Sequence, residues 1–85
     1  MKQENYSGNL IYSESKQFEI PKGTSSINIK NWSQSVLKVS YNGIRMDIAG
    51  MNSKGVNDFK SGDRIELENI SIDASNCNYE IVFWL

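Results

Sequence analysis

The residues of this sequence that could do chemistry are few, and histidine is missing altogether. Its absence excludes Ser-His-Asp and Cys-His nucleophile arrangements, and it excludes any metal site built on imidazole ligands. Cys77 is the lone cysteine, so it can form neither a thiolate cluster nor an intrachain disulfide. No glycine-rich segment has the strand-to-helix context of a phosphate-binding loop. The sequence therefore predicts no catalytic residue, no cofactor and no metal.

Two glutamates are the remaining possibility for acid–base chemistry. Glu66 and Glu68 alternate with Ile65 and Leu67, which places both carboxylates on the outer face of one strand. A carboxylate pair could serve glycoside hydrolysis, but it needs a cleft and a second structural element. We interpret the two glutamates as a solvated strand face and predict that the protein is not an enzyme.

Three apolar side chains are candidates for a binding or subunit surface. Trp32 lies in a polar loop between two strands, where it could be a sugar-stacking platform, a partner anchor, or a side chain folded over one end of the domain. Val82 and Trp84 alternate with Phe83 and Leu85, which are predicted to face the core, so Val82 and Trp84 are expected to point outward. We predict a subunit interface there, anchored by Trp84. The alternative is that the amino-terminal arm covers Trp84 within the same chain.

Length and charge limit the classes of partner. Eighty-five residues with a net charge of −1 predict one domain over 1–85 and no long-range field that would attract nucleic acid. We expect no signal peptide and no membrane insertion, because no apolar segment opens the chain. Residues 1–8 are polar and are expected to form a flexible arm.

The clearest structural pattern is a β-hairpin over 36–49. Asn42-Gly43 between two alternating runs predicts a type I′ turn, which needs positive φ at both central residues. Counting outward from this turn pairs Tyr41 with Ile44. The same register pairs Val39 with Met46 and Leu37 with Ile48, so all three apolar pairs share one face.

Other segments complete an all-β pattern. Short strands are predicted over 9–13, 17–20, 26–31, 56–60, 64–73 and 79–85, with a β-bulge at 68–69 where the apolar parity switches. A turn is predicted at 21–23 and another over 74–78. About eight short strands with regular turns predict a small antiparallel β-sandwich, jelly-roll-like in form.

The order of these segments resembles a group of viral proteins. Phe18-Glu-Ile-Pro-Lys-Gly, Leu37-Lys-Val-Ser-Tyr-Asn-Gly, Phe59-Lys-Ser-Gly-Asp and Tyr79-Glu-Ile-Val-Phe-Trp are similar in pattern to the small β-sandwich accessory proteins of bacteriophage virions (decoration, minor capsid and fibre-anchoring proteins). The resemblance implies a non-enzymatic structural protein that forms a homo-oligomer and contacts other virion proteins. It also implies synthesis in the host cytoplasm and a location in the virion.

A carbohydrate-binding or adhesion module is the alternative function. It would use Trp32 and the neighbouring loop residues to bind a glycan. Glycan binding and self-association are separate measurements, so the two functions can be distinguished.

Overall fold

The computed structural model of the protein describes residues 2–71 and 76–85, and these residues form eight β-strands. The strands are β1 (Gln3–Leu10), β2 (Ser15–Glu19), β3 (Ser26–Asn31), β4 (Leu37–Tyr41), β5 (Ile44–Ile48), β6 (Ser53–Val56), β7 (Arg64–Asn69) and β8 (Cys77–Trp84). Within these two ranges no helix could cross a membrane.

The strands pair into two antiparallel sheets of four. One sheet has the order β1-β8-β3-β6 and the other the order β2-β7-β4-β5. The chain changes sheet at every connection except the β4–β5 hairpin. This topology confirms the predicted all-β, jelly-roll-like sandwich. The connections β1–β2, β3–β4 and β5–β6 lie at the same end of the sandwich, together with the end of β7 and the start of β8, and we call it the loop end.

The predicted central hairpin is confirmed. Tyr41 pairs with Ile44 in the observed register, and the pairs farther from the turn follow as expected. Asn42 has φ of 50° and Gly43 has φ of 75°, which are the positive values that a type I′ turn requires. The turn chemistry and the alternating apolar pattern specify the same register, so neither opposes the other.

Apolar side chains fill the space between the sheets. Their inward-facing positions alternate along each strand, and most are completely buried. The buried core consists of Leu10, Ile20, Ile27, Ile29, Leu37, Val39, Tyr41, Ile48, Val56, Ile65, Leu67, Cys77, Tyr79, Ile81 and Phe83. Phe18, Met46 and Phe59 are partly buried and pack against it. Burial raises the pKa of the Tyr79 phenol, and the nearby charge of Glu14 raises it further.

The amino-terminal segment differs from the predicted flexible arm. Residues 3–10 form β1, which pairs with β8 along its whole length. Tyr6 is on the inner face, with its ring centroid 5.6 Å from that of Phe18 and 6.1 Å from that of Phe83. Gly8 lies against Tyr79, whose hydroxyl would be 2.7 Å from a Cβ at position 8. The sequence pattern does not show this strand, because the inward positions before Leu10 are Glu4, Tyr6 and Gly8 and not aliphatic residues.

Several strand boundaries also differ from the predicted ones. β6 spans 53–56 instead of 56–60, and β7 ends at Asn69, without the strand extension through a bulge at 68–69. Asn69 is buried and continues the inward series of β7, where its side chain donates to Leu10 O at 3.0 Å. A buried, hydrogen-bonded asparagine thus ends the strand. The polarity of Asn69 had favoured an outward position, which is wrong. Ile72 and positions 74 and 75 of the predicted turn over 74–78 lie outside the described residues, whereas Cys77 and Asn78 belong to β8 and not to a turn.

Candidate functional site

Exposed apolar side chains concentrate at the loop end. Among residues 2–71 and 76–85, the exposed large apolar side chains are Tyr6, Ile11, Tyr12, Trp32, Ile44 and Met51. Ile11 and Tyr12 belong to the β1–β2 connection, Trp32 follows β3, and Met51 lies between β5 and β6. Trp32 is 52% exposed and Met51 is 60% exposed. The turns at the opposite end contribute Ile44 alone to this set, so the loop end is the more apolar of the two.

The buried Asn31 side chain holds the loops around Trp32 together. Its Nδ2 donates to Ser35 O at 2.6 Å and to Ile48 O at 3.0 Å, which ties the β3–β4 loop to the end of β5. Its Oδ1 accepts from Ser33 N at 3.0 Å and from Cys77 Sγ at 3.5 Å. Asn31 is only 1% exposed. Because every polar atom of this buried amide has a partner, it rigidifies the loop end.

Gly50 lets the β5–β6 loop approach the β3–β4 loop. A Cβ at position 50 would be 2.7 Å from Ser33 O, which is too close for a backbone oxygen. Met51 N then donates to the same Ser33 O at 3.0 Å. Met51 has φ of 61°, a left-handed conformation that is uncommon for a methionine. This backbone directs an exposed thioether side chain beside Trp32.

A cleft of about 130 Å³ lies between these two loops. It is lined by Lys30, Asn31, Trp32, Met51, Asn52 and Ser53. Trp32 and Met51 supply the apolar surface, while the amide and hydroxyl groups can hydrogen-bond a ligand. The Lys30 ammonium is 5.5 Å from the centroid of the Trp32 ring, within the range of a cation–π interaction. The arrangement can bind a small ring through stacking, hydrogen bonds and one positive charge.

Of the three predicted surface residues, Trp32 alone lines this cleft. Trp84 is half-buried and lies at the far end of β8. Val82 faces outward, yet it is only 5% exposed because Asn5 and Asn28 flank it in the sheet. Tyr6 does not cover Trp84, since its ring is on the inner face. The subunit interface at Val82 and Trp84 stays a prediction, with little of Val82 left to contribute.

The candidate catalytic residues Glu66, Glu68 and Cys77 do not form one site. Glu66 and Glu68 are half-buried on the outer face of β7, where Glu68 accepts from Lys38 Nζ at 3.3 Å. Cys77 is buried and donates to Asn31. The described ranges contain no group of three or more Cys, Asp or Glu residues that could hold a metal ion.

Sequence reasoning missed Lys30, Asn31 and Met51 as parts of the site. One signal was present for Asn31, because it continues the inward series of Ile27 and Ile29. A polar residue at a core position of a strand indicates a buried hydrogen-bond network. Met51 gave no signal, since its position depends on how two loops pack.

A second, wider depression of about 570 Å³ lies at the opposite end. It is lined by Glu19, Ile20, Pro21, Lys22, Ser61 and Gly62. No large exposed apolar side chain lies among them. The Trp32 cleft is therefore the stronger candidate for a ligand site.

Solved structures show where this architecture occurs elsewhere. A de novo designed double-stranded β-helix has a TM-score of 0.74 at 17% identity, over 94% of this chain and 97% of the design. The Cupin_2 domain of an XRE family transcriptional regulator from Enterobacter cloacae has a TM-score of 0.72 at 13% identity, over 99% of this chain and 82% of that one. A predicted oxalate decarboxylase from Thermotoga maritima has a TM-score of 0.63 at 15% identity, over 95% of this chain and 64% of that one.

These structures correct the predicted viral identity. The neighbours are cupin and double-stranded β-helix domains, so the resemblance to phage virion accessory proteins was wrong, together with the structural virion function that it implied. Small jelly-roll domains share the same order of short strands and turns whatever their function, and that order alone carried the resemblance. The expected location in the virion rested on the same resemblance.

No protein-family model matches the sequence, and no curated protein matches it significantly. The structural similarity therefore establishes the fold alone, and any activity has to be inferred from the residues of the site. The chain has the double-stranded β-helix fold of cupin domains, a fold found in a predicted oxalate decarboxylase and in a domain of a transcriptional regulator.

Proposed function

We propose that this chain is a non-catalytic, small-molecule-binding domain of cupin fold, and that its ligand site is the Trp32–Met51 cleft at the loop end. The observation that carries the proposal is an exposed tryptophan beside an exposed methionine, both held by a buried and fully hydrogen-bonded Asn31. Rigid placement of an apolar surface lowers the entropy cost of binding.

The packing of the interior supports a site outside the sandwich. Ile29, Leu67 and Phe83 are each 0% exposed and lie among other aliphatic and aromatic side chains. An interior of this kind is close-packed and offers few groups that could fix the orientation of a polar ligand.

The chemistry of the described residues supports a non-catalytic role. The sequence has no histidine, and the candidate cleft has no carboxylate or cysteine among its lining residues. Its lining therefore lacks histidine, aspartate and glutamate, which are the commonest general bases. The fold is compatible with this role, since one neighbour is a domain of a transcriptional regulator.

The first prediction concerns Trp32 itself. We expect Trp32→Ala to weaken binding of benzoate and of benzamide about tenfold or more, because it removes the stacking surface of the cleft. Wild-type affinities should be millimolar for ligands of this size. Protein-observed NMR titrations measure both, and circular dichroism checks that the variant is folded.

Tyr12→Ala is the matched control, because Tyr12 is a 46% exposed aromatic side chain at the same end that does not line the cleft. This control should bind both probes like the wild type. Equal affinities in wild type and Trp32→Ala, or no binding of either probe to the wild type, would contradict the proposed function.

A further inference from the structure

Lys30 gives the cleft a positive charge with unused hydrogen-bonding capacity. Among the described residues, its nearest carboxylate is Glu80, whose Oε1 is 3.8 Å from Nζ, a distance longer than a hydrogen bond. An ammonium group has three N–H donors, and Lys30 makes no side-chain hydrogen bond within residues 2–71 and 76–85. The ammonium is therefore held near Trp32 with its donors open to a ligand.

Other lysines of the molecule are engaged differently. Lys38 donates to Glu68 at 3.3 Å on the opposite sheet, and Lys54 donates to Asp47 O at 2.9 Å. The Lys38–Glu68 pair is otherwise similar to the Lys30–Glu80 pair in exposure. Lys30 differs from these two lysines, because it lies near an aromatic ring and makes no side-chain hydrogen bond among the described residues.

The residues that line the cleft determine the charge and the size of the preferred ligand. Its residues include one ammonium group and no carboxylate. Because Glu80 is 3.8 Å from that ammonium, an anion that approaches within hydrogen-bond distance gains a closer ionic contact. A volume of about 130 Å³ is below the roughly 300–1,000 Å³ of pockets for drug-sized ligands. The space suits a single ring against Trp32 and Met51.

Resting on the function proposed above, we infer that the ligand is a small organic anion with a flat apolar body, such as a ring carboxylate. The ring stacks on Trp32 and contacts Met51. The carboxylate replaces Glu80 as the ionic partner of Lys30 and accepts its N–H donors, which gives shorter and stronger contacts than the present ion pair. Glu80 then acts as a built-in competitor that lowers affinity.

The comparison of benzoate with benzamide tests this inference, because the two probes have nearly the same shape and differ in charge. We expect benzoate to bind wild-type protein about three- to fivefold more tightly than benzamide, as for a partly exposed ion pair. Lys30→Gln should remove that preference. Glu80→Gln should increase benzoate affinity by a similar factor and leave benzamide affinity unchanged.

Lys38→Gln and Glu68→Gln are the matched controls, since they alter the equivalent pair on the other sheet. Both should keep the wild-type preference. Benzamide binding as tightly as benzoate, or a preference that survives Lys30→Gln, overturns the anionic ligand class while the Trp32 site remains. Failure of both probes to bind at Trp32 overturns the proposed function as well.

Discussion

At the scale of the residue, buried asparagines organise the loop end. Asn31 and Asn69 are 1% and 0% exposed, and each ends a strand at that end. Asn69 donates to Leu10 O and accepts from Ser71 N, so it joins the β1–β2 and β7–β8 connections. Asn31 performs the same task for the loops that form the cleft. These amides replace backbone partners that a regular sheet would supply.

The structural role of Asn31 can be measured directly. Asn31→Leu keeps the side-chain size but leaves Ser35 O and Ile48 O without their buried donor. We expect the free energy of unfolding to fall by about 2–4 kcal/mol. Chemical denaturation measures it, with Asn5→Ala as the exposed control, expected within about 0.5 kcal/mol of wild type. A loss below that level in Asn31→Leu would show that the network is not needed.

At the scale of the element, strand pattern and turn chemistry were sufficient for most of the fold. The hairpin register followed from Asn42-Gly43 and three apolar pairs, and β3 and most of β8 followed from alternation. β1 could not be predicted in this way, because Tyr6 and Gly8 are inward for reasons of cross-sheet packing. Alternation identifies strands whose inner positions are consistently apolar, and it misses β1, whose inner positions include Glu4 and Gly8.

The hairpin turn gives a prediction at this scale. Gly43→Ala places a Cβ at φ of 75°, so we expect a loss of about 1 kcal/mol, or a melting temperature lower by about 4–8 °C. Gly55→Ala is the matched control, because its Cβ would meet Ile27 O at an ordinary 3.7 Å. Thermal unfolding should leave this control unchanged or slightly stabilised. Equal melting temperatures in the two variants would refute the type I′ turn.

At the scale of the whole molecule, the sandwich has two unlike ends. The end opposite the loop end closes with tight turns at Gly23, Gly43 and Gly62, which all have positive φ. Among the described residues, the loop end carries the buried amides of Asn31 and Asn69 and most of the exposed large apolar side chains. Binding residues commonly lie on loops that a rigid scaffold positions, and the loop end fits that description.

The candidate site was predictable only in part, because its residues lie on loops. Trp32 was visible in the sequence as an aromatic residue in a polar loop. Its partner Met51 is distant in sequence and reaches it because Gly50 allows two backbones to approach. The function could not be predicted from the order of strands, because that order indicates the fold and proteins of one fold have many activities.

The most direct test of a site outside the sandwich is an amide-resolved NMR titration of the full chain with benzoate. We expect the largest shift changes at Trp32, Met51 and Ser53 and in their loops, with the interior amides of Ile29, Leu67 and Phe83 almost unchanged. Changes centred on those interior amides would contradict the external site and place the ligand between the sheets.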